Sequence, residues 1–335
     1  MSDVRAAAAT MTAVIAPSYG TADVLHLERV APPVAAAGQV LVRVRASSVC
    51  KGDIHLLHGT PYLLRLLGFG VRRPRHRVIG HCFAGVVTAV GPEVREHGVG
   101  DEVYGEADFG AFAEFVAVPV ERIAPKPAGL GFEEAAAVPD SAITALQGLR
   151  DSGALRAGQS VLINGASGGV GTFAVQLAKA FGAGVTAVCS TRHLDAVRGL
   201  GADHVIDYTA TDFTRGERRY DIVFDLAGNR SLAEIRRILH PDGVFISSAG
   251  APGGNWLGPL VWMGKVLVGN LFTRQSLKLL LARPNRQDLL VLNELISAGA
   301  VAPLIEHRFP FRETAAAIRH VEQGHAQGKT VITCP

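Results

Sequence analysis

Val161-Leu162-Ile163-Asn164 is a short apolar run bounded by glycines, the pattern of a strand buried on both faces. A 3.6-residue rhythm follows at once, with Val170, Ala174, Leu177, Ala178 and Phe181 on one face, and predicts a helix over 171–182. The alternation then repeats. Strands are predicted at 184–189, 204–207, 220–225 and 243–248, with helices at 193–200 and 231–239. This order predicts a doubly wound parallel sheet. Upstream, residues 12–135 read as short strands between turn residues; 40–46 alternates cleanly, and 85–91, 101–105 and 113–118 continue the series. The pattern turns helical from Phe132 to Arg150, and later a helix near 285–298 precedes strand-like stretches at 305–309 and 329–333. The fold class is α/β, a β-rich module joined to a parallel-sheet domain. A disordered tail is expected over 1–10, the first module over 11–135 and 275–335, and the second over 136–274.

Between the first parallel strand and its helix stand Gly165, Gly168, Gly169 and Gly171, interleaved with Ser167 and Val170. In that context glycines let the backbone turn tightly and approach a pyrophosphate, whose charge meets the free N–H groups of the helix N-terminus. The next strand ends in Ser190-Thr191-Arg192, where an acid would be needed to bond a ribose 2′-hydroxyl; Asp195 falls inside the following helix and faces elsewhere. Two hydroxyls and a guanidinium suit a phosphate, so the expected cofactor is NADP(H).

Composition narrows the class. The 335 residues carry 48% hydrophobic and 19% charged side chains with a net charge of +3, which supports burial and excludes a nucleic-acid-binding composition. Cys50, Cys82, Cys189 and Cys334 contain no C-x-x-C pair and read as reduced thiols of a cytoplasmic protein. The most apolar stretch, Trp256 to Phe272, is broken by glycine, proline, lysine and asparagine, so it reads as buried or interface-forming segments and not as a membrane span.

The succession of a β-rich module and a dinucleotide domain resembles the medium-chain dehydrogenase/reductase superfamily over nearly the whole chain. Asn164 to Gly171, Gly201-Ala202-Asp203-His204-Val205-Ile206-Asp207-Tyr208 and Gly328-Lys329 look like its quinone oxidoreductase-like branch. The resemblance implies a GroES-like catalytic module, a Rossmann domain, a small-molecule substrate and a homodimer formed by edge pairing of central sheets near Val266 to Leu271. Cofactor contacts are expected at Tyr208, at Ala227 and Gly228, at Ser248 and Ala249, and at Lys329.

Two chemistries remain open in the first module. Cys50-Lys51-Gly52-Asp53-Ile54-His55 matches the C-x-x-D-x-H pattern of zinc alcohol dehydrogenases, Gly80-His81-Cys82 stands where that family has Gly-His-Glu, and Asp140 aligns with its third ligand. In that reading Cys50, His81 and Asp140 bind zinc, Asp53 orients His81 and His55 relays a proton. In the zinc-free reading the same residues floor a polar pocket where NADPH reduces an activated C=C or carbonyl of a small enone or quinone. Tyr62, His55 and His81 are then the candidate proton donors. A non-redox enzyme or cofactor-binding protein on the same fold is a third reading. The segment Leu63 to Arg77, apolar and then basic, is expected to cover the mouth of the site.

Overall fold

The computed structural model describes residues 10–63, 65–248, 258–271, 273–324 and 327–335. The tail expected over 1–10 falls almost wholly outside these residues, as do Trp256 and Ala249.

After a small hairpin of β1 (Met11–Ile15) and β2 (His26–Val30), the chain builds two sheets. The first is mainly antiparallel and centres on the long β3 (Gln39–Val49), which pairs with β4 (Cys82–Val90), β6 (Phe115–Pro119) and, from the C-terminus, β15 (Lys329–Thr333). Strands β5 (Glu102–Glu106) and β7 (Ile123–Pro125) extend one side and β14 (Ile305–Pro310) the other. Alternation puts Val40, Val42, Val44 and Ala46 of β3 wholly inside, as the period-2 pattern requires.

The second sheet is parallel throughout, in the order β10 (His204–Asp207), β9 (Gly184–Cys189), β8 (Ser160–Asn164), β11 (Tyr220–Asp225), β12 (Leu239–Ser247) and β13 (Ser276–Leu279). The order reverses between β8 and β11. Ligands of such sheets bind at that switch point, beyond the carboxyl ends of the strands. Side chains brace it: Asn164 donates to Asp225 at 2.8 Å and to Asn229 at 2.9 Å.

Helix α4 (Gly169–Ala180) packs its face of Phe173, Ala174, Leu177 and Ala178 into a core that also holds Ala46, Tyr104 and Val331 of the other sheet. The two sheets thus share one apolar interior. Helices α2 (Phe132–Ala136) and α3 (Pro139–Leu146) carry the chain between them.

Three expectations change. Helix α1 (Lys51–His58) stands where only strands were foreseen; eight residues give too few turns for a clear period. Helix α7 (Gly258–Leu271) spans the region broken by glycine, so Val266 to Leu271 is helical and offers no sheet edge. Its Gly269 is where the helix approaches β13: a Cβ there would stand 2.7 Å from Leu277. Strand β13, missed in the sequence, is the actual edge, and it places residues 276–279 in the parallel sheet instead of in a first module resuming at 275. No helix among the described residues is long and apolar enough to cross a membrane.

Phe224 fills the centre of the parallel sheet, fully buried, with its ring against Gly148. Phe224→Ala is expected to cost about 3–5 kcal/mol, read as a lowered denaturant midpoint at unchanged slope.

Candidate active site

The glycine turn closes as the spacing predicts. Gly165 has φ +90°, a conformation costly to any residue with a Cβ, and a Cβ on Gly171 would stand 2.2 Å from the Gly165 carbonyl. These constraints bring the N-terminus of α4 against β8 and open a cleft of about 290 Å³ at the switch point. Gly165, Ser167, Gly168, Gly169 and Val170 line it, as do Ser190, Arg192, Tyr208, Ala227, Ser248 and Lys329. Gly228 turns beside the cleft, its N–H held at 2.9 Å by the Asp225 carboxylate. Thr191 points elsewhere, donating to Asp207. Asp207 also takes the N–H and hydroxyl of Thr209.

The other end of the cleft belongs to the first sheet. Cys50 follows β3 and caps the N-terminus of α1, and Asp53, one turn in, accepts the Cys50 N–H at 2.8 Å and its thiol at 3.1 Å. The second Asp53 oxygen meets Nδ1 of His81 at 2.5 Å. Burial alone would strip the proton from His81, but the Asp53 charge outweighs it and holds the imidazole well above its ordinary range. For Asp53 burial is likewise overcome by His81 and the Cys50 bonds, and its carboxyl stays low. The pair is an imidazolium–carboxylate with Asp53 buried and His81 partly exposed. The Cys50 thiol is pushed up strongly by contact with Cys82, by burial and by the charges of Asp53 and Asp140, so it remains protonated.

Glu106 was not singled out in the sequence. It lies opposite Cys82 in the β4–β5 ladder, and burial, then the charge of Asp140, raises it to about 7. Only strand pairing reveals it. Lys329 is 3% exposed and donates to Ser141 at 3.1 Å and to the Val49 carbonyl at 3.3 Å. Burial opposes its charge, yet the thiols and carboxylates around it keep its pKa above the usual lysine value.

The expected zinc set does not assemble. Cys50, Asp53 and His81 have donor atoms within 4.8 Å of one another, and Asp140, though it lines the cleft, does not join them. Instead, the Asp53 carboxylate bridges the Cys50 thiol and the His81 imidazole, the two side chains that the expected set would have turned toward a metal. Cys50, His81 and Asp140 as placed do not make one ligand set. The dinucleotide fits: the glycine turn presents the N-terminus of α4 to the cleft, and the buried Thr330 hydroxyl lining it has no partner among the described residues.

His55 stands on the exposed side of α1, away from this cluster. Tyr62 is also outside the cleft lining, its ring 4.7 Å from the Arg65 guanidinium, which lies against Tyr19 as well. The segment 63–77 does approach the site: His76 stacks on Phe109 at 4.2 Å, and Phe109 lies 5.5 Å from His81.

A family model described as an alcohol dehydrogenase GroES-like domain matches residues 36–128, and one described as a zinc-binding dehydrogenase matches 200–332. The chain is 34% identical over 358 residues to the 2-methylene-furan-3-one reductase of Solanum lycopersicum, covering 99% of this chain and 83% of the relative. The chain belongs to the medium-chain dehydrogenase/reductase superfamily. It is 32% identical to the chloroplastic NADPH-dependent alkenal/one oxidoreductase of Arabidopsis thaliana, over 96% of this chain and 79% of that one. The quinone oxidoreductase from Coxiella burnetii superposes with a TM-score of 0.83 at 28% identity, over 97% of this chain and 99% of that chain. Like other members of the superfamily, this oxidoreductase works with a nicotinamide cofactor.

The His81–Asp53 pair has a defined pH window. His81, raised when folded, stabilises fully below its unfolded pKa of about 6.5, and Asp53, lowered when folded, stabilises fully above about 3.9. Asp53→Ala is therefore expected to lose about 3–5 kcal/mol between those values. The loss shrinks as pH rises through the folded pKa of His81 or falls through that of Asp53, as denaturation at several pH values will read.

Proposed function

We propose that this protein is an NADPH-dependent reductase of the activated C=C bond of small enones or quinones. The observation that carries the reading is the cleft that runs from the glycine turn and Arg192 to Cys50 and Asp140, with Asp53 behind it bonded to both Cys50 and His81. The activities in the names of the tomato and Arabidopsis relatives support it.

Bound NADPH supplies the hydride, which adds to the carbon β to the carbonyl while the π electrons move onto the carbonyl oxygen. The enolate so formed needs a donor, and the imidazolium of His81 and the ammonium of Lys329 are the cations beside Cys50 and Asp140. With Nδ1 on Asp53, His81 gives its proton from Nε2 to the α-carbon, and Asp53 keeps the ring oriented for reprotonation. Of the three donors foreseen, His81 alone is bonded into the Cys50–Asp53 cluster. No step runs through zinc.

The preference for the phosphorylated cofactor rests on Ser190 and Arg192 in the lining and on Ser190-Thr191-Arg192, with no acid, directly after β9. The cytoplasmic reading rests on four buried, unpaired thiols. The homodimer rests on α7, whose Val261, Leu267, Val268 and Leu271 are each more than half exposed.

NADPH oxidation followed with a panel of enones, quinones and aldehydes tests the function. Turnover that is fastest with enones and survives EDTA is expected; tight NADPH binding with a flat absorbance trace against every substrate overturns it. Arg192→Ala should raise KM for NADPH by roughly 10- to 100-fold, one charge-assisted phosphate bond, and leave KM for NADH nearly unchanged. A sedimentation coefficient of a dimer, reduced to that of a monomer by Leu267→Glu, is expected for the assembly.

A further inference from the structure

A second group of metal-ligand side chains lies outside the cleft. Glu306 and His307 sit on β14 and His320 on α9 (Thr314–Glu322), the crossover helix between β14 and β15. Their donor atoms all lie within 4.8 Å of one another. One Glu306 oxygen is 3.2 Å from Nε2 of His320, and the other is 3.9 Å from Nε2 of His307. Ligands at tetrahedral corners around zinc stand roughly 3.3 Å apart, given bonds of about 2.0–2.1 Å, so only small rotamer changes separate this group from a closed coordination shell.

The backbone explains how neighbours in sequence converge. In a regular strand Glu306 and His307 would face opposite sides of the sheet. Here the β14–β15 register shifts between Ile305 and His307, and such a bulge re-aims a side chain. The carboxylate is also oriented from behind, by the Gln327 N–H at 2.7 Å. The two imidazoles meet edge to face with centroids 4.5 Å apart.

We propose that Glu306, His307 and His320 form a zinc site, with two imidazoles and one carboxylate as ligands and a fourth position open to water. Two nitrogens and one oxygen favour zinc over magnesium or calcium, which prefer all-oxygen shells. The site stands apart from the hydride-transfer chemistry, although Val321 and Gly324, just beyond His320, line the cofactor cleft.

Zinc binding is measured on the EDTA-stripped, gel-filtered full chain by competition with a chromophoric chelator, and cobalt(II) serves as a spectroscopic probe. One zinc per chain is expected in the wild type and equally in Cys50→Ser. Affinity should fall at least about tenfold in His307→Ala, whose side chain is half exposed and leaves the fold intact, and in His320→Ala. Cobalt should give tetrahedral d–d bands without a thiolate charge-transfer band. No uptake, uptake that survives both histidine substitutions, or uptake that disappears in Cys50→Ser with a thiolate band in the wild type overturns the proposal.

Discussion

One buried ammonium joins the two halves of the molecule. Lys329 begins β15 of the antiparallel sheet, yet its side chain reaches Ser141 of α3 and the carbonyl of Val49 at the end of β3. Immediately before it, Gly328 bridges to Gly168 in the dinucleotide turn, with its N–H on the Ser167 carbonyl at 2.8 Å. A charge this deep is tolerable only among opposite charges and acceptors. Asp140 and Asp53 supply opposite charge around it, so the seam between the sheets and the polar floor of the cleft are one structure.

The same economy shapes the proton inventory. Cys50, Asp53, His81, Glu106 and Asp140 crowd one apolar wall, and each charge there sets the others. Asp53 resolves the conflict by stabilising one cation, His81, while Cys50 stays a thiol and Glu106 titrates near 7. That assignment favours proton donation over metal ligation, although the residue types alone permit both.

Much was legible in the one-dimensional pattern. The apolar run at 161–164, the four glycines after it and the repeating strand–helix rhythm determine the parallel sheet and its cleft, because a period and a forbidden φ are local properties. The replacement of an acid by Ser190-Thr191-Arg192 is local too, and it carries the cofactor reading as far as residue types can.

Tertiary structure decided what depends on pairing. Register sets Glu106 against Cys82, while packing of the elements turns Thr191 onto Asp207 and leaves Asp140 outside the group that Cys50 and His81 form with Asp53. A register shift gathers Glu306 and His307 with His320, twelve intervening residues away in sequence and adjacent in space. Helix α7 escaped the pattern in part because Gly269, a break in one dimension, is a close approach to β13 in three. The sequence determined which elements form; their packing decided which side chains share a proton or an ion, since those energies fall off within a few ångströms that no spacing rule can specify.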